Sequence, residues 1–275
     1  MDLTLISVED KLHRLKGILQ QMGPTLVAFS GGVDSSFLLA VAAEVLRDQV
    51  VALMTVSSST PPEDAQQAVS LAQSLNVCLL TIQHDELAIP EYAANPTNRC
   101  YFCKDSLYAI CRREADRLSL RSIADGINTD DLKDYRPGLR AASEYGIAHP
   151  LVEGQFSKAE IRQASRLLGL PTWDRPASPC LSSRVPYGTP ITAAMLAQIA
   201  QGETFLRSLG FKELRVRHHG QSARIEIGID DFSKMASPEM IKTVGEYLRK
   251  LGFASAMLDM GGHRSGVFNE GLQGG

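Results

Sequence analysis

Ser30-Gly31-Gly32-Val33-Asp34-Ser35, followed by Ser36, places two glycines, three hydroxyls and one carboxylate in seven residues. Paired glycines let a backbone turn sharply and approach a ligand closely. A helix starting just after them aims its free amides, carrying about half a positive charge, at an anion. Ser30, Ser35 and Ser36 add hydroxyl donors. Asp34 beside a phosphate calls for a bridging cation, which implies Mg²⁺. The run lacks the Gly-Lys-Ser/Thr of loops that transfer a γ-phosphate, and no lysine lies nearby in sequence. A cradle of amides and hydroxyls suits a pyrophosphate leaving group better. The alternative is a glycine turn that only joins a strand to a helix.

A second constellation is Asn98-Arg99-Cys100-Tyr101-Phe102-Cys103-Lys104, with Cys180 far downstream in Ser178-Pro-Cys-Leu-Ser-Ser-Arg184. Cysteines three apart at a helix start can grip one metal centre. Three thiolates suit a [4Fe–4S] cluster with one iron left open. Structural zinc wants a fourth ligand, and no histidine is near either motif. Zinc, a redox pair, or Cys180 acting alone as nucleophile stay open. Cys78 and Cys111 read as core residues.

Asp125-Gly126-Ile127-Asn128-Thr129-Asp130 follows an expected strand, where Asp125 or Asp130 can hold Mg²⁺ or a ribose; an Asx turn is the alternative. Arg136 and Arg140 can clamp a phosphate or carboxylate bidentately, or be surface charge. Tandem His218-His219 form no catalytic pattern.

The elements that must position these residues alternate. Helices are expected over 3–22, 36–46, 62–75, 100–117 and 158–169, with short apolar strands at 25–29, 50–56, 77–82 and 122–125. Such an order gives an α/β doubly wound parallel sheet, with ligands at the carboxyl ends of its strands. Residues 173–190 read as a long functional loop. Beyond it, a helix over 192–209, strands at 214–218 and 223–229, a helix capped at Ser237 and a strand at 254–258 form a smaller α+β domain. The expected division is 1–184 and 185–275, with a frayed glycine-rich end at 271–275.

The 275 residues carry a net charge of −3, are 44% hydrophobic and include five cysteines. This is the profile of a globular protein. It argues against a nucleic-acid coat. No apolar run reaches membrane-span length, and the acid-containing N-terminus does not read as a signal peptide, so a cytoplasmic location is expected.

Ser30–Ser35 resembles the SGGxDS motif of the PP-loop ATP pyrophosphatase superfamily, which holds the pyrophosphate of ATP. Together with Arg99–Lys104, Asp125-Gly126, Asp134–Gly138, Cys180–Gly188, Glu203, Arg215-Val-Arg217, Ala223–Glu226 and Leu258–Gly266, the chain is similar over nearly its whole length to the ATP-dependent sulfur transferase family called LarE, which makes a nickel-pincer nucleotide cofactor. The resemblance implies a pyridinium biscarboxylate mononucleotide as substrate, adenylated by Mg²⁺-ATP and then converted to a thiocarboxylate. It implies that Cys100, Cys103 and Cys180 hold a [4Fe–4S] cluster carrying sulfide, in place of the single sacrificial cysteine of another branch. It makes Arg184, Arg215, Arg217 and Arg224 candidates for the substrate's anions, and Glu203 and Glu226 for a divalent ion at a subunit contact. A homo-oligomer, hand-over to a nickel-inserting enzyme, and no nucleic-acid or membrane partner are expected. Two other enzyme readings are a tRNA thiolase, which the net negative charge and the absence of any dense Lys/Arg run disfavour, and an ammonia-dependent synthetase, which leaves the three cysteines without purpose. A non-catalytic ATP sensor is the alternative outside enzymes.

Overall fold

The computed structural model describes residues 7–133, 136–176 and 178–264. Its elements run α1 (Val8–Met22), β1 (Thr25–Ala28), α2 (Val33–Leu46), β2 (Val50–Val56), α3 (Pro62–Ser74), β3 (Cys78–Gln83), α4 (Pro90–Ala93), α5 (Arg99–Arg117), β4 (Ser122–Ala124), α6 (Gly138–Glu144), α7 (Pro150–Glu153), α8 (Lys158–Leu167), α9 (Ala193–Ser208), β5 (Leu214–His219), β6 (Ser222–Ile227), α10 (Phe232–Met235), α11 (Pro238–Lys250) and β7 (Ser255–Leu258). The chain forms two compact units. One comprises Met1–Ser57, Pro62–His84 and Asn98–Ser178, the other Ser58–Pro61, Asp85–Thr97 and Pro179–Gly275.

The first unit is an α/β sheet of four parallel strands in the order β3-β2-β1-β4. β1 is buried at all four positions, as a nearly all-apolar central strand must be. Val27 points to one core with Leu15, Phe37, Leu39 and Phe156, while Leu26 and Ala28 point to the other with Tyr108, Cys111 and Ile123. Helices thus cover both faces, and the expected doubly wound class holds. Phe37 and Phe156 meet edge to face at 5.2 Å; burying each such ring is worth about 1.5–3 kcal/mol. β4 is prolonged by a parallel bridge from Ala124 to Ala148. Hence His149 stands beside Asp125 at the carboxyl edge.

Local signals explain the helix starts. Ser7 with Asp10 and Ser157 with Glu160 form capping boxes ahead of α1 and α8. Three details depart from the sequence reading. α2 begins at Val33, so Asp34, Ser35 and Ser36 lie in its first turn rather than in a loop before it. Cys78 is exposed, because β3 is an edge strand and not a covered one. α6 had no periodic signal: its seven residues bury only Ala141 and Ala142. Residues 3–6 and 271–275 of the expected elements lie outside the described residues.

The second unit pairs β5 antiparallel with β6, and β6 parallel with β7. Leu206, Val216, Ile225, Val244 and Leu248 form its core. The expected small α+β arrangement is present, with strand ends moved by one or two residues. Two stretches from earlier in the chain belong to this unit. Ser59 O accepts from Leu181 N at 2.8 Å, Tyr92 and Ser182 share a hydroxyl hydrogen bond of 2.6 Å, and Asn95 Nδ2 donates to Pro186 O at 2.8 Å. The second half of the 173–190 loop is thereby ordered, with a single 3₁₀ turn over Leu181–Arg184.

Candidate functional site

The first site is built where β1 ends. Gly31 has φ +72, and a Cβ there would lie 2.8 Å from Ala68 Cβ of α3. Both facts demand glycine. Ser30 Oγ and Ser35 Oγ share a hydrogen bond of 3.1 Å and Gly32 caps α2 without a side chain. The anion-facing helix start is therefore not covered by a cap of its own. Asp34 Oδ1 and Ser36 Oγ are buried and have no hydrogen-bond partner. Buried polar groups are nearly always satisfied, so a ligand hydroxyl, phosphate-bound water or cation is the natural complement. These residues fit ATP with a divalent ion: Ser30, Gly31, Gly32, Ser35 and Ser36 on the phosphates, and Asp34 toward the ion.

The structure supplies the cation that the sequence lacked near this loop. Lys158 Nζ, on the first turn of α8, donates to Asp34 Oδ2 at 2.5 Å. Burial raises the Asp34 carboxyl above its ordinary value even against the pull of Lys158. Asp130 has a different job from the metal binding expected of it. Its Oδ2 accepts Lys158 N at 2.8 Å and its Oδ1 pairs with Lys133, which fixes the start of α8. Arg175 is a second unexpected part. It donates to Gly31 O at 3.0 Å and pairs with Asp64, which also accepts from Ser178 Oγ at 2.6 Å. It ties the loop before Cys180 to the phosphate cradle.

Gly126 joins the β4 exit to the same cradle, since a Cβ on it would lie 2.7 Å from Ser35 N. Asp125 is 2% exposed, and its oxygens are taken. Oδ1 meets His149 Nδ1 at 2.7 Å and Ile127 N at 3.2 Å, and Oδ2 accepts Tyr108 OH at 2.6 Å. Burial pushes this carboxyl up, but His149, Lys104 and Tyr108 outweigh it and hold it low. It is a positioning group here, not an open ribose or metal ligand. Arg136 pairs with Asp131 at 2.5 Å, and Arg140 with Glu144 at 2.9 Å, both as exposed side chains. The structure does not bring them to the phosphate loop.

In the second unit, Arg184 and Glu203 are both wholly buried. Arg184 Nε and Nη2 meet the two Glu203 oxygens at 2.8 and 2.9 Å, and its Nη1 donates to Pro179 O at 2.6 Å and to Cys180 O at 3.2 Å. Arg184 thus shapes the Cys180 loop and, being wholly buried, presents no exposed donor to a substrate carboxylate. Glu203 also accepts Val216 N at 3.1 Å. The resemblance implies a divalent-ion ligand at a subunit contact, and the plainer reading is an exposed helix acid; the burial of α9 against β5 makes Glu203 an internal anchor instead. Burial pushes Glu203 up, but the Arg184 fork outweighs it and leaves it low. Glu226 is wholly buried, with Oε1 against Arg217 Nε at 2.5 Å and Oε2 unpartnered. Arg217 reaches Ser183 O at 3.1 Å. Desolvation, with Arg184 adding to it, pulls the half-buried Arg215 down to about 10. His218 and His219 are both lowered, first by burial, and His218 Nε2 meets Gln198 Oε1 at 3.0 Å.

Cys100 and Cys103 sit one turn apart at the start of α5, exposed and half-buried, and belong to the first unit; the half-buried Cys180 belongs to the second. Among the described residues no group of three or more His, Cys, Asp or Glu side chains is gathered to hold a metal ion. The pair fits two ligands of a metal centre, but a complete cluster site does not follow from the geometry. Cys111 is the core residue expected, its thiol pushed up to about 12 by burial. Asp134, Tyr135, Ser265 and Gly266 of the quoted motifs lie outside the described residues. Among the described residues no helix is long and apolar enough to cross a membrane.

A parallel sheet whose first strand delivers SGGVDS to a helix start, with a second glycine strand-exit packed on it, defines an ATP-using α/β protein of the PP-loop class. A family profile described as NAD synthase matches residues 8–101. The chain is 36% identical over 272 residues to the pyridinium-3,5-bisthiocarboxylic acid mononucleotide synthase of Lactiplantibacillus plantarum, covering 98% of this chain and 97% of that one. It therefore belongs to the family of that synthase. It is also 42% identical over 262 residues to an uncharacterized protein of Synechocystis sp., covering 95% and 98% of the two chains. The NH₃-dependent NAD⁺ synthetase of Methanopyrus kandleri is 42% identical over 66 residues, 23% of each chain.

Proposed function

We propose that the protein is an ATP-dependent sulfur transferase acting on a pyridinium-3,5-biscarboxylate mononucleotide in the synthesis of a nickel-pincer cofactor. The observation that carries the ATP half is the pair of unpartnered buried atoms, Asp34 Oδ1 and Ser36 Oγ, at the uncapped start of α2. The name of the L. plantarum relative supports the substrate. A substrate carboxylate oxygen attacks the α-phosphorus of ATP, the bond to the β-phosphate oxygen breaks, and pyrophosphate leaves. Asp34, held by Lys158, would be the residue to hold Mg²⁺, which when bound would offset the charge on the leaving group. A sulfur nucleophile then adds to the acyl carbon, AMP departs with the acyl oxygen, and a thiocarboxylate remains.

The sulfur is proposed to come from a [4Fe–4S] cluster held by Cys100, Cys103 and Cys180; when bound, its open iron would carry exchangeable sulfide. The support is the donor set alone, three thiols of which two share a helix turn. Arg215 and Arg217 are proposed for the substrate's phosphate. A cytoplasmic homo-oligomer that hands its product to a nickel-inserting enzyme completes the reading. The test is ATP–pyrophosphate exchange that requires the biscarboxylate nucleotide, followed by mass analysis of the nucleotide for oxygen-to-sulfur replacement. Absence of exchange with that nucleotide would sink the proposal. The NAD synthase match favours one second reading, in which ammonia attacks the same adenylate. Formation of an amide with ammonium, and no thiocarboxylate with sulfide, would select it.

A further inference from the structure

One buried polar array at the sheet edge is absorbed neither by the phosphate loop nor by the cysteines. Tyr108 of α5 is wholly buried and donates to Asp125, and Asp125 holds His149 Nδ1 at 2.7 Å. A buried, fully satisfied carboxylate between a tyrosine and a half-buried imidazole is costly to build and orients the ring. The bridge between Ala124 and Ala148 puts His149 and Asp125 side by side where the strand ends. Gly126, the next residue, packs on Ser35 of the phosphate loop. The Nδ1 side of the ring is committed, whereas Nε2 makes no hydrogen bond among the described residues and the side chain keeps 23% exposure.

The geometry points to His149 as a substrate-binding residue: its imidazolium, backed by Asp125 and Tyr108, receives the anionic carboxylate of the acceptor nucleotide beside the α-phosphate of ATP. This rests on the adenylating function proposed above. Two anions must meet for that reaction, and an unscreened approach is repulsive. Of the lysines near this edge, Lys158 holds Asp34, and Lys104 lies over the Tyr108 ring at 5.3 Å from its centroid. The charges facing His149 are Asp125, which raises its pKa first by hydrogen bonding and then by charge, Glu153 of α7, which raises it, and Lys104 of α5, which lowers it. The ring transfers no proton; it binds and orients.

The test is ATP–pyrophosphate exchange in wild-type protein and in His149→Gln, His149→Ala and Asp125→Asn, with the acceptor KM followed against pH. Wild-type KM should rise as pH climbs through the raised His149 pKa. In His149→Ala the acceptor KM should increase about ten- to hundredfold while the KM for ATP stays within about twofold. His149→Gln keeps a donor and should lose the pH dependence. Asp125→Asn should move the rise to lower pH, a shift that mere loosening of the fold would not produce. Ring nitrogen-15 shifts of His149 should also respond to the nucleotide. An acceptor KM and pH profile unchanged in both His149 variants, with exchange intact, overturns the inference alone. A wild-type protein that shows no exchange with the nucleotide removes the function, and this inference with it.

Discussion

Lys158 Nζ donates to Asp34 Oδ2 across 2.5 Å, so the carboxylate of the phosphate loop is already held by a cation from α8. The lysine reaches it because Asp130 and the Ser157 cap fix the first turn of that helix. Asp34 must be ionised to face a divalent ion, and burial opposes this. Lys158→Met removes the opposing pull, so the Asp34 pKa should rise further. ATP-dependent activity is then expected to fail at a higher pH as the solution is acidified, with kcat/KM for ATP down about ten- to hundredfold. The pH profile of kcat/KM in the two proteins is the measurement; a coincident acid limb would refute it. Asp34→Asn should lose the Mg²⁺ dependence altogether.

Gly126 and Gly31 are bound by contact rather than by flexibility alone. A Cβ at Gly126 would meet Ser35 N at 2.7 Å, and one at Gly31 would meet Ala68 Cβ at 2.8 Å with φ already at +72. Backbone and helix cannot yield as a side-chain tip can. Gly126→Ala is expected to cost about 1–3 kcal/mol of stability and to weaken ATP binding by displacing the start of α2. Urea denaturation and nucleotide titration check the two effects separately. Gly17→Ala, on the open face of α1 with nothing within 4 Å, should be neutral or slightly stabilising.

These residues show what a sequence discloses and why it stops. Ser30–Ser36 was legible because strand, glycines and helix start are contiguous, and the apolar runs of β1 and β2 fixed a parallel sheet. Lys158 and Arg175 were not, because each lies over a hundred positions from the residue it holds. The only local hint for Lys158 was the capping box that starts its helix at the carboxyl edge. Arg184 and Glu203 were given ligand roles by the family resemblance, which does not say whether a charged side chain is open to a ligand. Their burial depends on α9 packing against β5, which no local pattern states. Cys78 was misread for a similar reason: an apolar run does not say whether its strand lies at the centre or the edge.

The Arg184–Glu203 pair should prove structural and mechanistic at once. Removing one member of a wholly buried pair leaves an uncompensated charge, at a cost of about 3–5 kcal/mol. Glu203→Gln is therefore expected to lower the melting temperature markedly. Arg184→Met combined with Glu203→Leu removes both charges and should recover much of the loss. Yet Arg184 also holds Pro179 O and Cys180 O, so the double variant should fold, exchange pyrophosphate and still transfer sulfur poorly. Full sulfur transfer in it would show that the Cys180 loop does not need this anchor. Because Glu203 is held low, the pair's stabilisation is complete above the ordinary glutamate range and is lost as pH falls through the depressed folded pKa.

The three cysteines should separate into adenylation and sulfur delivery. None belongs to the phosphate loop, so Cys100→Ala, Cys103→Ala and Cys180→Ala are each expected to keep nucleotide-dependent pyrophosphate exchange and to lose thiocarboxylate formation. Protein isolated without oxygen under iron-replete conditions should be brown with about four irons per chain, and each substitution should bleach it. If the three thiols hold sulfide on iron, the mass of the wild-type chain stays constant through turnover. If Cys180 is the donor instead, its Cβ–Sγ bond breaks by elimination, one hydrogen sulfide's mass leaves the chain, and product stops at one equivalent. Intact-protein mass spectrometry beside product counting decides between the two. A colourless wild type losing that mass would refute the cluster while leaving the adenylating loop untouched.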